Sequence, residues 1–355
     1  MKRIISMLLA ISLSLGMLCM TVQAAEADEA VKMQNTAEAL KSLTLFRGSD
    51  KGFELDRAPT RMEVIIMLIR LLGKDSAIYG DENGNPYTHP FTDAPGWQDA
   101  NEYLGYAYAT GLTNGTSETT FEPNSPASAQ MLVTFTLRAL GYTDSESGKL
   151  WDIWYEKANE LNIGVEYLNE DLFTRGHAVM LYWDALYCTL NGTDQLLHEK
   201  LAADWVFAPE AMAIAEQLKN GNIDLSSDLD VIMASLYAKV PATFHSIMHT
   251  PIDTNDADSQ TWYMGTSDIN FKEALAAEPM MLAQAHSVVL VRLKKAADAE
   301  KVMETMKSNV DGRKWICVGV EPENIRTAAE GDLVLLVLDN QYSQAFVDAF
   351  HSLVK

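Results

Sequence analysis

Three runs of the chain, Val64 to Leu72, Met131 to Leu140 and Val179 to Leu190, are apolar on nearly every side, with Val64-Ile65-Ile66-Met67-Leu68-Ile69 the extreme case. A helix that is hydrophobic all round belongs inside a bundle, so the pattern predicts three central helices that bury one another. Each run follows a polar or Pro-containing turn and a Ser or Thr (Thr60, Ser128, Thr174) suited to cap the first turn. Amphipathic stretches around Ala37 to Leu45, Asp99 to Thr110 and Trp151 to Leu161 precede them, each ending near a Gly or Asn that tolerates a left-handed cap. From Gly192 to Lys239 the pattern stays helical, broken at Pro209 and Asn220-Gly221-Asn222. Pro241 to Asp268 is polar and turn-rich, which predicts a loop or hinge. The period then changes. Strands are expected at Ser287 to Leu293, Lys314 to Val320 and Asp332 to Leu338, with helices at Ala296 to Asn309 and Gln344 to Val354. That run gives a small α/β sandwich, one sheet covered by two or more helices.

The helical part repeats itself. At a spacing of 68 residues Phe53 pairs with Phe121, Thr60 with Ser128, Arg70 with Arg138 and Gly73 with Gly141. A weaker third copy starts at Thr174-Arg175-Gly176-His177, 46 residues after Ser128.

The N-terminus sets Lys2 and Arg3 before an apolar run, Ile4 to Met20, and closes on Val22-Gln23-Ala24, the pattern of a secretory signal peptide cleaved after Ala24. The run is interrupted by Ser6, Ser12, Ser14 and Gly16, and no later stretch is long enough to span a bilayer. Export would leave Cys188 and Cys317, each in an apolar run and expected to be a small buried hydrophobe, with no disulfide framework. The 355 residues carry 27 Lys+Arg against 49 Asp+Glu, a net charge of −22, which excludes a nucleic-acid footprint. Residues 286 to 355 hold 9 basic and 10 acidic groups, so the acidity belongs to the preceding two thirds.

The ordered motifs resemble S-layer homology repeats, modules that hold proteins on bacterial cell walls. The second copy carries Phe91-Thr92-Asp93 and Trp97, then Tyr106-Ala107-Tyr108-Ala109-Thr110-Gly111-Leu112-Thr113-Asn114-Gly115, then Phe121-Glu122-Pro123; the first carries Thr60-Arg61-Met62-Glu63. The resemblance covers about Ala37 to Asn191 and implies an all-α, pseudo-threefold unit whose grooves bind peptidoglycan-linked secondary cell-wall polysaccharide, often pyruvylated. An Arg in the first helical turn can meet a pyruvyl carboxylate beside the free N–H groups of that turn. The resemblance thus makes Thr60, Arg61, Glu63, Asp93, Trp97 and Arg175 the polysaccharide-binding candidates, with Glu63 closing a capping box on Thr60 and Trp97 offering a ring to a sugar. The pattern departs in the second copy, where Ala129 and Met131 replace the Arg and Glu, and in the third, where His177 replaces the Glu. Further on, Glu278-Pro279-Met280-Met281, Ala285-His286-Ser287 and Asp311-Gly312-Arg313-Lys314-Trp315 resemble a domain of unknown function from exported proteins and lipoproteins of Firmicutes, over about Leu236 to Phe350.

The expected organisation is a signal peptide (1–24), an incomplete first repeat (25–74), a second (88–143), a degenerate third (149–191), a helical connector (192–240) and an α/β domain (241–355). Competing chemistries are thinly supported. His245 and His249 are spaced like helical metal ligands, yet Ser246 stands where a zinc protease needs Glu and no third ligand is evident. Asp81-Glu82-Asn83-Gly84-Asn85 opens like a calcium loop, but Pro86 occupies the Gly position. His286, Ser287 and Asp332 are expected near one another in the sheet, but they come with no nucleophile elbow, and no Gly-rich phosphate loop calls for a cofactor. Arg313-Lys314 reads as a surface turn flanking the Trp315 strand. The sequence therefore points to a secreted, non-enzymatic protein held on the wall by its repeats and displaying a C-terminal binding domain. A wall-anchored hydrolase or metal-dependent enzyme with its site in residues 240–355 stays open as the alternative, and a lattice subunit as a third.

Overall fold

The computed structural model describes residues 27–49, 51–144, 148–166, 168, 172–244, 246–281 and 283–354. The signal-peptide segment and His245 lie outside the described residues. The chain forms two compact units, one of residues up to Ala37 with Phe53–Val206, the other of Glu38–Gly52 with Phe207–Lys355.

The first unit is helical: the start of α1 (27–42), α2 (Arg61–Leu71), α3 (Ala100–Ala109), α4 (Ala129–Ala139), α5 (Leu150–Leu161), α6 (Arg175–Leu186) and α7 (Leu197–Ala203). The apolar runs α2, α4 and α6 form its interior, with Ile65, Leu68, Leu132, Leu137 and Leu181 at 1% exposure or less. The capping residues act as their types require. Thr60, Ser128 and Thr174 hold extended backbone angles, and their hydroxyls accept from the amides of Glu63, Met131 and His177, each at 3.2 Å. Glu63 Oε2 returns a bond to the Thr60 amide, and His177 Nδ1 does the same at Thr174. Helices α1, α3 and α5 end alike, on left-handed Thr44, Gly111 and Asn162. There the amides of Leu45, Leu112 and Ile163 reach back to the carbonyls of Leu40, Ala107 and Ala158, all at 2.9 Å.

The second unit combines α8 (Ala211–Asn220) and α9 (Leu229–Lys239) with the C-terminal sheet, so the segment read as one connector divides between the units at Val206. The sheet is antiparallel, ordered β1-β2-β3-β5-β4, from β1 (Ile247–Pro251), β2 (Phe271–Pro279), β3 (His286–Leu293), β4 (Ile325–Glu330) and β5 (Leu333–Asp339). One face packs α10 (Ala257–Met264) and α11 (Ala299–Asn309) around Met264, Val289, Val291, Met306, Val334 and Leu336. The other carries α9 and α12 (Ser343–His351).

Four expectations are corrected. The segment expected to be a loop or hinge contains β1 and α10. The strand expected at Lys314 to Val320 is irregular: Cys317 is left-handed (φ 61°), Ile316 and Val318 are exposed, and β4 takes the place beside β5. Cys188 is buried as expected, its thiol pushed up to about 11 by burial and by Asp184, but Cys317 is exposed. Lys314 is no surface residue. Its amine lies 2.6 Å from Glu278 Oε1, donates to the Trp262 carbonyl at 3.1 Å, and sits over the rings of Trp262, Tyr263 and Trp315.

Candidate functional site

The candidate residues of the first unit are built around two equivalent joints. In the first, the Arg61 amide donates to the Ser125 carbonyl at 2.9 Å and the Met62 amide to Pro123 at 3.0 Å, which docks the start of α2 on the turn before α4. The Arg61 guanidinium follows: Nε donates to the Phe121 carbonyl at 2.8 Å, Nη1 lies 3.1 Å from Met131 Sδ, and the group stands 4.9 Å over the Phe121 ring. In the second joint the Arg175 amide donates to Arg57 at 2.9 Å and the Gly176 amide to Leu55 at 2.8 Å, while Arg175 Nε donates to Phe53 at 3.0 Å and Nη1 to Glu63 Oε1 at 3.3 Å. Every acceptor in the second joint lies 68 residues before its counterpart in the first. Both arginines are buried, at 9% and 5% exposure. Burial pulls both guanidinium pKa values down, against Glu122 and Asp93 around Arg61 and Glu63 around Arg175.

Glu63 is more heavily engaged than a capping residue needs to be. Besides the Thr60 amide and Arg175, it takes a two-pronged contact from Arg57, at 2.8 and 2.6 Å. Burial raises its carboxyl, but the Arg57 bonds, the Thr60 amide and the Arg175 charge outweigh it and hold it below the usual range. Arg57 was missed by motif reading; its signal is the single basic residue two places before Pro59, where the second copy has Ser125. Asp93 fastens the opposite side of the first joint. Its carboxylate accepts from the Phe121 amide at 2.9 Å and the Glu122 amide at 2.7 Å, and these bonds hold it ionised against burial. Trp97 is 45% exposed, its ring 6.3 Å from Tyr103. The structure thus gathers Arg61 with Asp93 at the first joint and Arg175 with Glu63 and Thr60 at the second, and leaves Trp97 on the surface.

Residues 90–128 match the family model of the S-layer homology domain. The chain carries an S-layer homology domain. That stretch contains Asp93, Trp97, Phe121 and the turn that receives Arg61. The chain is 27% identical over 170 residues to the "Middle cell wall protein" of Brevibacillus brevis, covering 46% of this chain and 16% of that protein. It is 26% identical over 168 residues to the "Surface layer protein" of Brevibacillus choshinensis (46% and 15%) and 28% over 151 residues to the "Cell surface protein" of Thermoanaerobacter kivui (41% and 19%). The chain therefore spans less than a fifth of each of these relatives. The S-layer homology domain and these likenesses place the protein at the cell surface, in the wall.

The competing sites resolve individually. His286 is fully buried; Nδ1 lies 2.8 Å from Asp339 Oδ2, its register partner, and Nε2 lies 2.7 Å from the Tyr237 hydroxyl, with the Phe244 ring stacked at 4.4 Å. Burial pushes the Tyr237 hydroxyl well above its usual range, whereas Asp339 is held low, against burial, by His286 and the amides of Tyr342 and Gln341. Asp332, the expected neighbour, binds Lys272 instead at 2.8 Å. His249 meets Asp230 at 3.0 Å. Asp81 accepts from the amides of Asn83 and Asn85 at 2.9 and 2.8 Å, a self-contained turn. Among the described residues no group of three His, Cys, Asp or Glu is placed to hold a metal, and no helix is long and apolar enough to cross a membrane.

Proposed function

We propose that the protein is a noncovalent wall anchor whose three repeats form a pseudo-threefold unit that binds peptidoglycan-linked secondary polysaccharide, and that it displays its C-terminal domain without catalysing a reaction. The observation that carries the reading is the pair of 68-residue-related joints inside the unit that holds the S-layer homology domain. In this reading Arg61 and Trp97 meet the ligand, while Thr60, Glu63, Asp93 and Arg175 hold the surface in shape. Support for Arg61 comes from Nη2, which has no hydrogen-bond partner among the described residues and belongs to a group kept charged at any physiological pH. A pyruvyl carboxylate would be its complement. The net charge of −22 opposes an anionic polymer at long range, so the attraction must be short-range. The non-enzymatic reading draws on His286, whose ring is closed off from any substrate.

Co-sedimentation of the exported chain with purified wall sacculi tests this. Binding is expected to intact sacculi, to be lost when the secondary polysaccharide is stripped from them, and to fall roughly tenfold in Trp97→Ala, about the worth of one stacked ring. Equal binding to stripped sacculi would sink the polysaccharide reading.

A further inference from the structure

The shared C-terminal geometry of α1, α3 and α5 puts the three helices in one register, anchored on Leu45, Leu112 and Ile163. Counting back from those anchors, Met33, Ala100 and Trp151 are equivalent, as are Ala37, Leu104 and Tyr155. In the first two copies this face is interior: Met33 is 8% exposed, and Ala37, Ala100 and Leu104 are fully buried. In the third it is open, with Trp151 at 42% and Tyr155 at 41%. Positions that two copies fill with core residues thus carry large aromatic rings facing solvent in the third. Helix α5 buries Leu150 and Ala158 and little else.

Side chains bond the backbone beneath this face, and a neighbouring ring abuts Tyr155. Gln130 Nε2 donates to the Trp151 carbonyl at 2.8 Å and Asn159 Nδ2 to the Tyr155 carbonyl at 2.7 Å, while the Trp154 ring abuts Tyr155 edge-on at 5.5 Å. Residues four apart on a helix stand about 6 Å from each other, close to the length of one pyranose unit. Its charge chooses the ligand. Asp152, Glu156 and Glu160 are exposed on α5, and its single cation, Lys157, is bound to Glu160 at 2.6 Å. Carboxylates repel an acidic sugar but accept hydrogen bonds from hydroxyls, while aromatic faces take the C–H faces of the ring.

We propose that Trp151 and Tyr155 form a second glycan platform, which takes uncharged pyranose units of the wall polysaccharide, apart from the Arg61 surface that takes its acidic group. This rests on the polysaccharide-anchoring reading above. The test is calorimetric titration of the exported chain with solubilised secondary wall polysaccharide, comparing wild type with Trp151→Ala/Tyr155→Ala, Tyr155→Ala alone and Trp151→Phe. The double variant is expected to bind at least roughly tenfold more weakly with an unchanged melting temperature, the single alanine to fall between, and Trp151→Phe to stay within about threefold of wild type. An unchanged Kd in the double variant overturns the platform while leaving the anchor intact. A changed sedimentation coefficient with unchanged glycan affinity also overturns it, in favour of a protein contact. No binding by wild type overturns the anchoring reading itself.

Discussion

Arg61 Nε donates to the Phe121 carbonyl at 2.8 Å, across 60 residues of chain, with the guanidinium poised over the Phe121 ring. A side chain identified by motif as a ligand arm is thereby also a strut between two copies. Arg61→Ala is expected to destabilise the first unit by about 2–4 kcal/mol, from a charge-assisted hydrogen bond, a cation–π contact and the carbonyl left unpaired. Arg61→Lys should recover little of it, since an ammonium cannot reproduce the Nε geometry. Urea unfolding followed by circular dichroism measures both. A loss of wall binding with no loss of stability would mean that the strut is energetically idle.

Gly105 lies within α3, where helix propensity alone favours Ala over Gly by about 1 kcal/mol. A Cβ there would stand 2.7 Å from the Tyr87 carbonyl oxygen, a backbone atom that cannot swing aside. Gly105→Ala is therefore expected to destabilise, by about 1–3 kcal/mol. A raised melting temperature would show that residue 87 yields more easily than its packing implies.

Tyr237, His286 and Asp339 tie α9, β3 and β5 together inside the second unit. Tyr237→Phe removes one hydroxyl and leaves His286 Nε2 buried without its partner, at a cost of about 1–3 kcal/mol. Hydrogen exchange should report the loss as faster exchange of the α9 and β3 amides. Protection confined to its wild-type values would place the stability of this unit elsewhere.

Burial pushes the Lys41 amine down to about 8, opposed by Glu38, while its Nζ donates to the Val240 carbonyl. In the unfolded chain the same amine titrates near ~10.4. Between these values the unfolded state holds more protons, so stability contributed at this residue rises with pH and is lowest below about 8. Lys41→Met removes that slope. Its stability relative to wild type is expected to be greatest at pH 7 and to shrink as the pH approaches 10, which denaturant midpoints across the range would show. A pH-independent difference would contradict the shift.

The 68-residue repeat, the three capping residues and the all-apolar central helices were legible in the sequence because each depends on neighbours within one or two turns. The Thr60 hydroxyl accepts from the Glu63 amide one turn on, and Val64, Ile65, Met67, Leu68, Ile69 and Leu71 are the buried apolar positions that the run foretells. Strands were less legible. β2 runs Phe271-Lys272-Glu273-Ala274-Leu275-Ala276-Ala277-Glu278-Pro279, without the alternation that marks a strand, and is held extended by β1 and β3 on its two sides. The apolar stretch at Trp315 to Val320 looked like a strand, yet the left-handed Cys317 breaks it and β5 pairs with the less apolar β4.

The sequence by itself determined the repeat, its caps, the acidic charge and the S-layer homology motif, all of which are local patterns or sums. Only the tertiary structure decided what the marked residues touch. It turned Arg61 and Arg175 inward onto the Phe121 and Phe53 carbonyls, caged Lys314 among aromatic rings, placed Asp339 rather than Asp332 beside His286, and left Trp151 and Tyr155 partly exposed where the equivalent residues of α1 and α3 are buried. The reason is that exposure and long-range pairing depend on which surfaces meet, and residues with the same place in a motif meet different neighbours in each copy.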